Sequence, residues 1–238
     1  MKKRISLVLL LALLSALLFQ FKWKNADDDF VFYVVNPKQQ EVFLYLKRKD
    51  EANSIANFKS TLAQNNEELL FAMNGGMYKK DKSPQGLCIQ DGIICSALDT
   101  NNGNGNFYMM PNGVFYLDTN GLAVVCKTED FKNNKTIKYA TQSGPMLVID
   151  GEIHKAFSKG SNNLNIRNGV GILPNNKILF AMSKKEINFY DFAEFFKSKG
   201  CKNALYLDGY VSRTYCPSQN WIQTDGDFGV IIGVVSKN

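Results

Sequence analysis

The sequence predicts an α+β domain, an antiparallel or mixed β-sheet built from successive hairpins with two or three helices packed on it. Three observations carry this expectation. Asp-Gly and Asn-Gly pairs recur between short apolar runs, at Asp91-Gly92, Asn112-Gly113, Asn120-Gly121 and Asp150-Gly151, and such pairs supply the positive φ that tight hairpin turns need. Apolar residues three or four apart mark only two helices, at 54–64 and 188–199. At 238 residues, 45% hydrophobic and 12% aromatic, the chain has enough apolar side chains for one substantial core, so a single folded domain is expected.

Residues 1–24 read as a targeting segment. Lys2, Lys3 and Arg4 precede an uncharged apolar run from Ile5 to Phe21, which closes at Lys22 and Lys24. No small-x-small cleavage site follows the run, and its length is at the short end of what spans a bilayer, so a removed signal peptide and a retained signal anchor both stay open. The expected location is outside the cytoplasm: periplasmic, secreted, or held to a membrane through this segment only. The same 24 residues hold five of the 28 bases and no acid, which leaves 23 bases against 22 acids in 25–238. A near-neutral domain without an RNA-binding signature gives no ground for a nucleic-acid partner.

The domain opens with two strand-like runs, 30–35 and 41–46, rich in β-branched and aromatic residues and joined by the polar segment 36–40, which together predict a hairpin. A helix follows at 54–64, with Ile55, Phe58 and Leu62 on one face, and then a short buried strand at 69–73. Segments 88–94, 114–125 and 146–153 read as further hairpins, and 170–173 pairs with 178–182 across 174–177. The Asn- and Gly-rich stretch 101–106 reads as a connecting loop. Phe189, Phe192, Ala193 and Phe196 form the apolar stripe of the second helix, with Asn188 as N-cap and Gly200 placed to end it. Segments 204–207 and 230–235 complete the strands.

Cys88, Cys95, Cys126, Cys201 and Cys216 cannot all pair within one chain, and no spacing among them suggests zinc. A Cys201–Cys216 bridge would close a loop around 207–209; free thiols buried as small hydrophobes are the simpler expectation.

Four clusters place polar or glycine residues at the ends of apolar strands. The first is Asn74-Gly75-Gly76-Met77-Tyr78, where the glycines either expose N–H groups to an anion or only make a turn. The second is Ser143-Gly144-Pro145, and the third Arg167-Asn168-Gly169-Val170-Gly171. Arg167 matters because a guanidinium offers paired donors to two phosphate oxygens and stays charged. The fourth is Leu205-Tyr206-Leu207-Asp208-Gly209-Tyr210-Val211-Ser212-Arg213, where a strand delivers a carboxylate into a Gly-containing turn. Here Asp208 is either the acid–base carboxylate or an ordinary turn residue, with Ser212 and Arg213 close by in sequence. Asp225 and Asp227 offer further carboxylates; a divalent metal shared with Asp208 stays conceivable, but no spacing defines one and no cofactor is assigned. His154 is the only histidine, and without a Gly-x-Ser-x-Gly elbow a serine-hydrolase triad is disfavoured; it is expected as a secondary site contact.

In this order the four clusters resemble the phosphodiester glycosidase family, over roughly 30–235. The resemblance implies a hydrolase that cleaves the bond between a sugar's anomeric carbon and a phosphodiester oxygen, with Asp208, Arg167, Asn74 and Ser212 in one pocket. Gly75, Gly76, Ser143, Gly144, His154, Asn168, Gly209 and Arg213 would contact a phosphorylated glycan or sugar-1-phosphodiester. The sequence departs from the glycine-rich Leu-Asp-Gly-Gly-Gly-Ser-Ser of the family's best-known member, since Tyr210 and Val211 follow Gly209, and resembles a bacterial branch of short, single-domain relatives. A noncatalytic envelope module that binds phosphorylated glycans, and an enzyme attacking phosphorus, therefore remain alternatives.

Overall fold

In the computed structural model, which describes residues 26–46 and 53–237, the apolar runs form sixteen strands and the two periodic stretches form helices. The predicted targeting segment lies outside the described residues. In chain order the elements are β1 Phe30–Val35, β2 Gln40–Leu46, α1 Ile55–Gln64, β3 Leu69–Asn74, β4 Cys88–Gln90, β5 Ile93–Ser96, β6 Gly113–Asp118, β7 Ala123–Lys127, β8 Ile137–Ser143, β9 Met146–Ile149, β10 Glu152–Ile153, β11 Asn168–Ile172, β12 Ile178–Ser183, α2 Phe189–Ser198, β13 Asn203–Tyr206, β14 Thr214–Cys216, β15 Trp221–Ile222 and β16 Val230–Ser236. No helix among the described residues is long and apolar enough to cross a membrane.

Three sheets result, with strand orders β1-β12-β11-β13-β9-β10, β15-β14-β3-β16-β2 and β5-β4-β8-β6-β7. Their ladders are antiparallel. Side chains from all three sheets meet in one core, which includes Val31, Leu44, Phe71, Phe115, Phe180, Leu205 and Ile232. Strand β16 shows how the alternation works. Val230, Ile232 and Val234 enter this core, while Ile231 and Val235 turn to the other face and pack with Ile55, Phe58 and Leu62 of α1. Helix α2 covers the outer face of the first sheet through Phe192 and Phe196, against Leu147, Leu179 and Ala204. Each buried apolar side chain of this size contributes about 1.5–3 kcal/mol.

Both helices start and stop on local signals. Ser54 accepts the Asn57 N–H and Asn188 accepts the Asp191 N–H, as N-caps do. Gly200, at φ +86°, follows α2. The Asp91-Gly92 and Asp150-Gly151 turns have positive φ at both residues and join β4 to β5 and β9 to β10.

Two expectations need correction. Segments 30–35 and 41–46 are not a hairpin: β1 pairs with β12, and β2 pairs with β16. Val31 and Val35 of one and Val42 and Leu44 of the other enter the same core, so the chain at 36–39 crosses between facing sheets instead of folding back within one. Asn112-Gly113 is not a hairpin turn either. Gly113 begins β6 and pairs with both Lys127 and Ser143, while buried Asn112 donates to the Phe107 carbonyl. All five cysteines are free thiols. Cys216 lies in the central core and Cys201 beneath α2, in different layers, so the bridge between them does not form.

Candidate active site

The four clusters converge where the three sheets meet. Asn74 ends β3, Ser143 ends β8, Asn168 begins β11, and 207–208 follow β13, one strand from each of two sheets and two from the third. Pairing of Gly169 with Tyr206 sets Arg167 and Asn168 beside Leu207 and Asp208, and Leu207 N–H donates to the Asn168 carbonyl at 3.1 Å.

Asn74 is the hub of this junction and is buried. Its Nδ2 donates to the Asp208 carbonyl at 2.8 Å, and its Oδ1 accepts from Asn168 Nδ2 and from the Arg213 N–H, each at 3.0 Å. Asn168 Oδ1 in turn accepts the Asp208 N–H at 2.9 Å. Ser212 Oγ donates to the Asp208 carbonyl at 3.2 Å, and Ser143 Oγ to the Leu207 carbonyl at 2.6 Å. Four side chains thus fix the backbone on either side of one carboxylate. The partly buried Asp208 carboxyl is left with the Tyr210 N–H on Oδ1, at 3.2 Å. Burial pushes its proton affinity up to about 6, against the lowering effect of that single hydrogen bond.

Arg167 is fully enclosed. Its Nε donates to the Ile187 carbonyl at 2.8 Å and its Nη2 to the Asn163 carbonyl and Oδ1, at 2.8 and 3.2 Å. The guanidinium lies 3.6 Å from the Phe189 ring centroid and 5.5 Å from that of Tyr206. Phe189 stacks on Phe157 at 4.9 Å, and Phe157 on His154 at 4.7 Å. Nη1 is buried without a hydrogen-bond partner. Burial lowers the Arg167 pKa, and the Tyr206 phenol opposes that shift. Tyr206 has its own phenol pushed up to about 12 by burial, and its oxygen accepts the Gly209 N–H at 2.7 Å. Arg167 and Asp208 therefore flank one tyrosine, without a direct contact between them.

Several site expectations change accordingly. Arg167 presents no exposed donor pair to a ligand in this conformation; the 157–165 loop and the start of α2 cover it. The Gly75 N–H is taken by the Val230 carbonyl at 2.8 Å, so it is not an anion donor. Gly76 is required by close packing on Thr141 and Gln142, and Gly144 by packing on Asn112 and Phe107. A Cβ on Gly209 would overlap the Tyr206 hydroxyl and the Ile166 carbonyl. His154 has no free ring nitrogen: Nδ1 accepts the Ala156 N–H, so Nε2 donates to the Met110 carbonyl at 3.0 Å. It forms the outer layer of the stack behind Arg167. Arg213, half-exposed, binds Asp225 through Nε at 2.9 Å, and Lys82 binds Asp227 at 3.3 Å. No group of three His, Cys, Asp or Glu residues suited to a metal occurs among the described residues.

Residue-by-residue reading placed Tyr206 in the fourth cluster without a role, and did not single out Phe157 or Lys82. The role of Tyr206 could have been inferred from its place directly before Leu207-Asp208 on an apolar strand. Phe157 and Lys82 sit in polar loops that carry no such signal.

The antiparallel three-sheet domain with this junction has a phosphodiester glycosidase-like fold. The chain belongs to the phosphodiester glycosidase family, whose model matches residues 67–232. It is 38% identical over 186 residues, 77% of this chain and 72% of the other, to the Escherichia coli K12 protein YigE. Its fold is similar to the catalytic domain of zebrafish N-acetylglucosamine-1-phosphodiester alpha-N-acetylglucosaminidase, solved auto-inhibited by its pro-peptide. That match has a TM-score of 0.59 and 14% identity, covering 88% of this chain and 84% of that one. A hypothetical protein from Synechocystis matches at a TM-score of 0.58 and 12% identity, over 87% of this chain and 59% of that one.

Proposed function

We propose that this protein hydrolyses the bond between a sugar's anomeric carbon and a phosphodiester oxygen, and that it acts outside the cytoplasm, to which the pattern of residues 1–24 would direct it. The observation that carries the reading is Asp208: a desolvated carboxyl, raised to about 6, on a backbone held by Asn74, Asn168 and Ser212. In the reaction the C1–O bond breaks, its electron pair leaves with the phosphate, and water supplies the new hydroxyl at C1. Ionised Asp208 accepts the proton of that water or stabilises the cationic sugar. The leaving group departs as a phosphomonoester, which tolerates its charge and so needs little help from a general acid.

Asn74, Asn168, Ser143 and Ser212 act in this scheme by positioning the acid. Arg167 acts from beneath, as a fixed cation that holds Tyr206 and, through it, the turn at Gly209.

The test is a panel of sugar-1-phosphodiesters incubated with the protein in oxygen-18 water. Label in the sugar's anomeric hydroxyl is expected, and Asp208→Asn is expected to lower kcat by about 10²-fold or more. Label in the phosphate would mean attack at phosphorus. Binding without turnover would leave only a glycan-binding module.

A further inference from the structure

A groove of about 320 Å³ opens beside the Asp208 turn, lined by Tyr78, Lys82, Tyr210, Arg213, Asp227 and Phe228 among others. Tyr210 ties the two together: its N–H donates to Asp208 Oδ1 while its ring stands 93% exposed on the groove wall. The groove holds two cations on opposite elements. Arg213 follows the Asp208 turn and is oriented by Asp225. Lys82 comes from a separate tight turn, in which Lys82 N–H bonds to Lys79 O and Lys79 N–H to Ser83 O.

That second turn is built around its lysine at a conformational cost. Lys82 has φ +68°, a region that glycine or asparagine occupies far more readily and where other side chains are strained. The turn is docked firmly, since a Cβ on Gly229 would come within 2.8 Å of the Lys82 carbonyl. The ammonium lies 4.8 Å from the Tyr78 ring centroid and donates to the Asp227 carbonyl at 2.7 Å, with an Asp227 carboxylate oxygen at 3.3 Å. An ammonium has three donors, and the Asp227 carbonyl, the Asp227 carboxylate and the Tyr78 side chain take them, so a ligand phosphate would exchange with one of these contacts. An exposed aromatic residue in a groove also lined by two cations suits a phosphate ester of a sugar or polyol, with the phosphate on the cations and the carbon skeleton on the ring.

We propose that this groove is the leaving-group subsite, binding the phosphate and the alcohol esterified to it, with Lys82 and Arg213 as phosphate ligands and Tyr210 as the platform for the alcohol. The assignment rests on the glycosidase reading for its place in a reaction, but phosphate-ester binding can be measured without turnover. It puts the accessible positive charge on residues other than enclosed Arg167.

The experiment titrates glycerol phosphate into the purified protein and into Lys82→Gly and Arg213→Gln variants by calorimetry. Lys82→Gly removes the ammonium and relieves the left-handed backbone, so it is expected to fold with a Tm no lower than the parent's. Its affinity for glycerol phosphate should fall at least about ten-fold, the loss expected of one charge-assisted hydrogen bond, and the KM for a cleavable phosphodiester should rise in parallel. Equal binding by parent and Lys82→Gly, or no binding by the parent at millimolar probe, overturns the subsite even if turnover is found. Lys82-dependent binding with no turnover of any sugar-1-phosphodiester keeps the subsite and removes the glycosidase reading instead.

Discussion

Burial raises the Asp208 pKa to about 6, about two units above the ordinary Asp value. The folded protein therefore holds this proton more tightly than the unfolded chain does, and stability falls as pH rises from about 4 through 6, after which the whole cost is present. Because the carboxyl is only partly buried, that cost is on the order of 2 kcal/mol at neutral pH. Asp208→Asn keeps an oxygen for the Tyr210 N–H and loses the charge, so it is expected to raise the Tm at pH 7 while lowering kcat by about 10²-fold or more. Thermal melts at pH 4 and pH 7 check this, since the gain should shrink at the lower pH. The role of the ionised form is read separately from kcat/KM, which should rise with pH through an apparent pKa near 6. A fall over the same range would make Asp208 the acid instead of the base. Motif order alone brought Asn74, Ser143, Asn168, Asp208 and Ser212 together, because each lies at or close to one end of an apolar strand. It did not reveal that Arg167 is enclosed, since the groups enclosing it come from Asn163, Ile187 and Phe189. Lys82 stayed invisible for a similar reason: its left-handed backbone is set by a turn docked on Gly229.

Among the elements, α2 does two jobs at its first turn. Asn188 caps the helix, the preceding Ile187 carbonyl accepts from Arg167 Nε, and Phe189 stacks on the same guanidinium. Asn188→Ala should remove about 1 kcal/mol, seen as a Tm lower by about 2–4 °C. Because the cap also fixes Ile187 and Phe189 under Arg167, kcat/KM should fall more than in Ser54→Ala, which removes the equivalent cap from α1. Equal kinetic losses would mean that α2 is packing alone. Both helices were legible from apolar spacing and caps, as were the Asp-Gly turns at 91–92 and 150–151, since all of these are local interactions. The β1 and β2 pairing was not. Strand propensity reports that a segment is extended and half-buried, and the choice of partner is made by strands more than a hundred residues away, β12 and β16.

Across the whole molecule, the site has no local unit of its own. Its backbone and side chains come from β3 in one sheet, β8 in another, and β11 and β13 in the third, so it exists only when all three sheets have closed on the common core. Strand β16 governs that closure. It lies between β2 and β3, supplies Val230, Ile232 and Val234 to the core, and receives α1 on its other face. At its centre a Cβ on Gly233 would overlap the Phe58 ring of α1. Gly233→Val is therefore expected to cost about 1–3 kcal/mol or more through overpacking. Gly151→Ala, by contrast, meets no neighbouring atom and carries only the backbone penalty of φ +84°, at a turn far from the site. Removal of 230–238 should have a larger effect than either, since β2 and β3 would lose their shared partner and the Gly75 N–H its acceptor at Val230. The truncated chain is expected to lose cooperative thermal unfolding and all activity together. If it instead melted cooperatively with its circular dichroism largely retained, the second sheet would be closing without β16, and the site would depend on a smaller part of the molecule than the shared core implies.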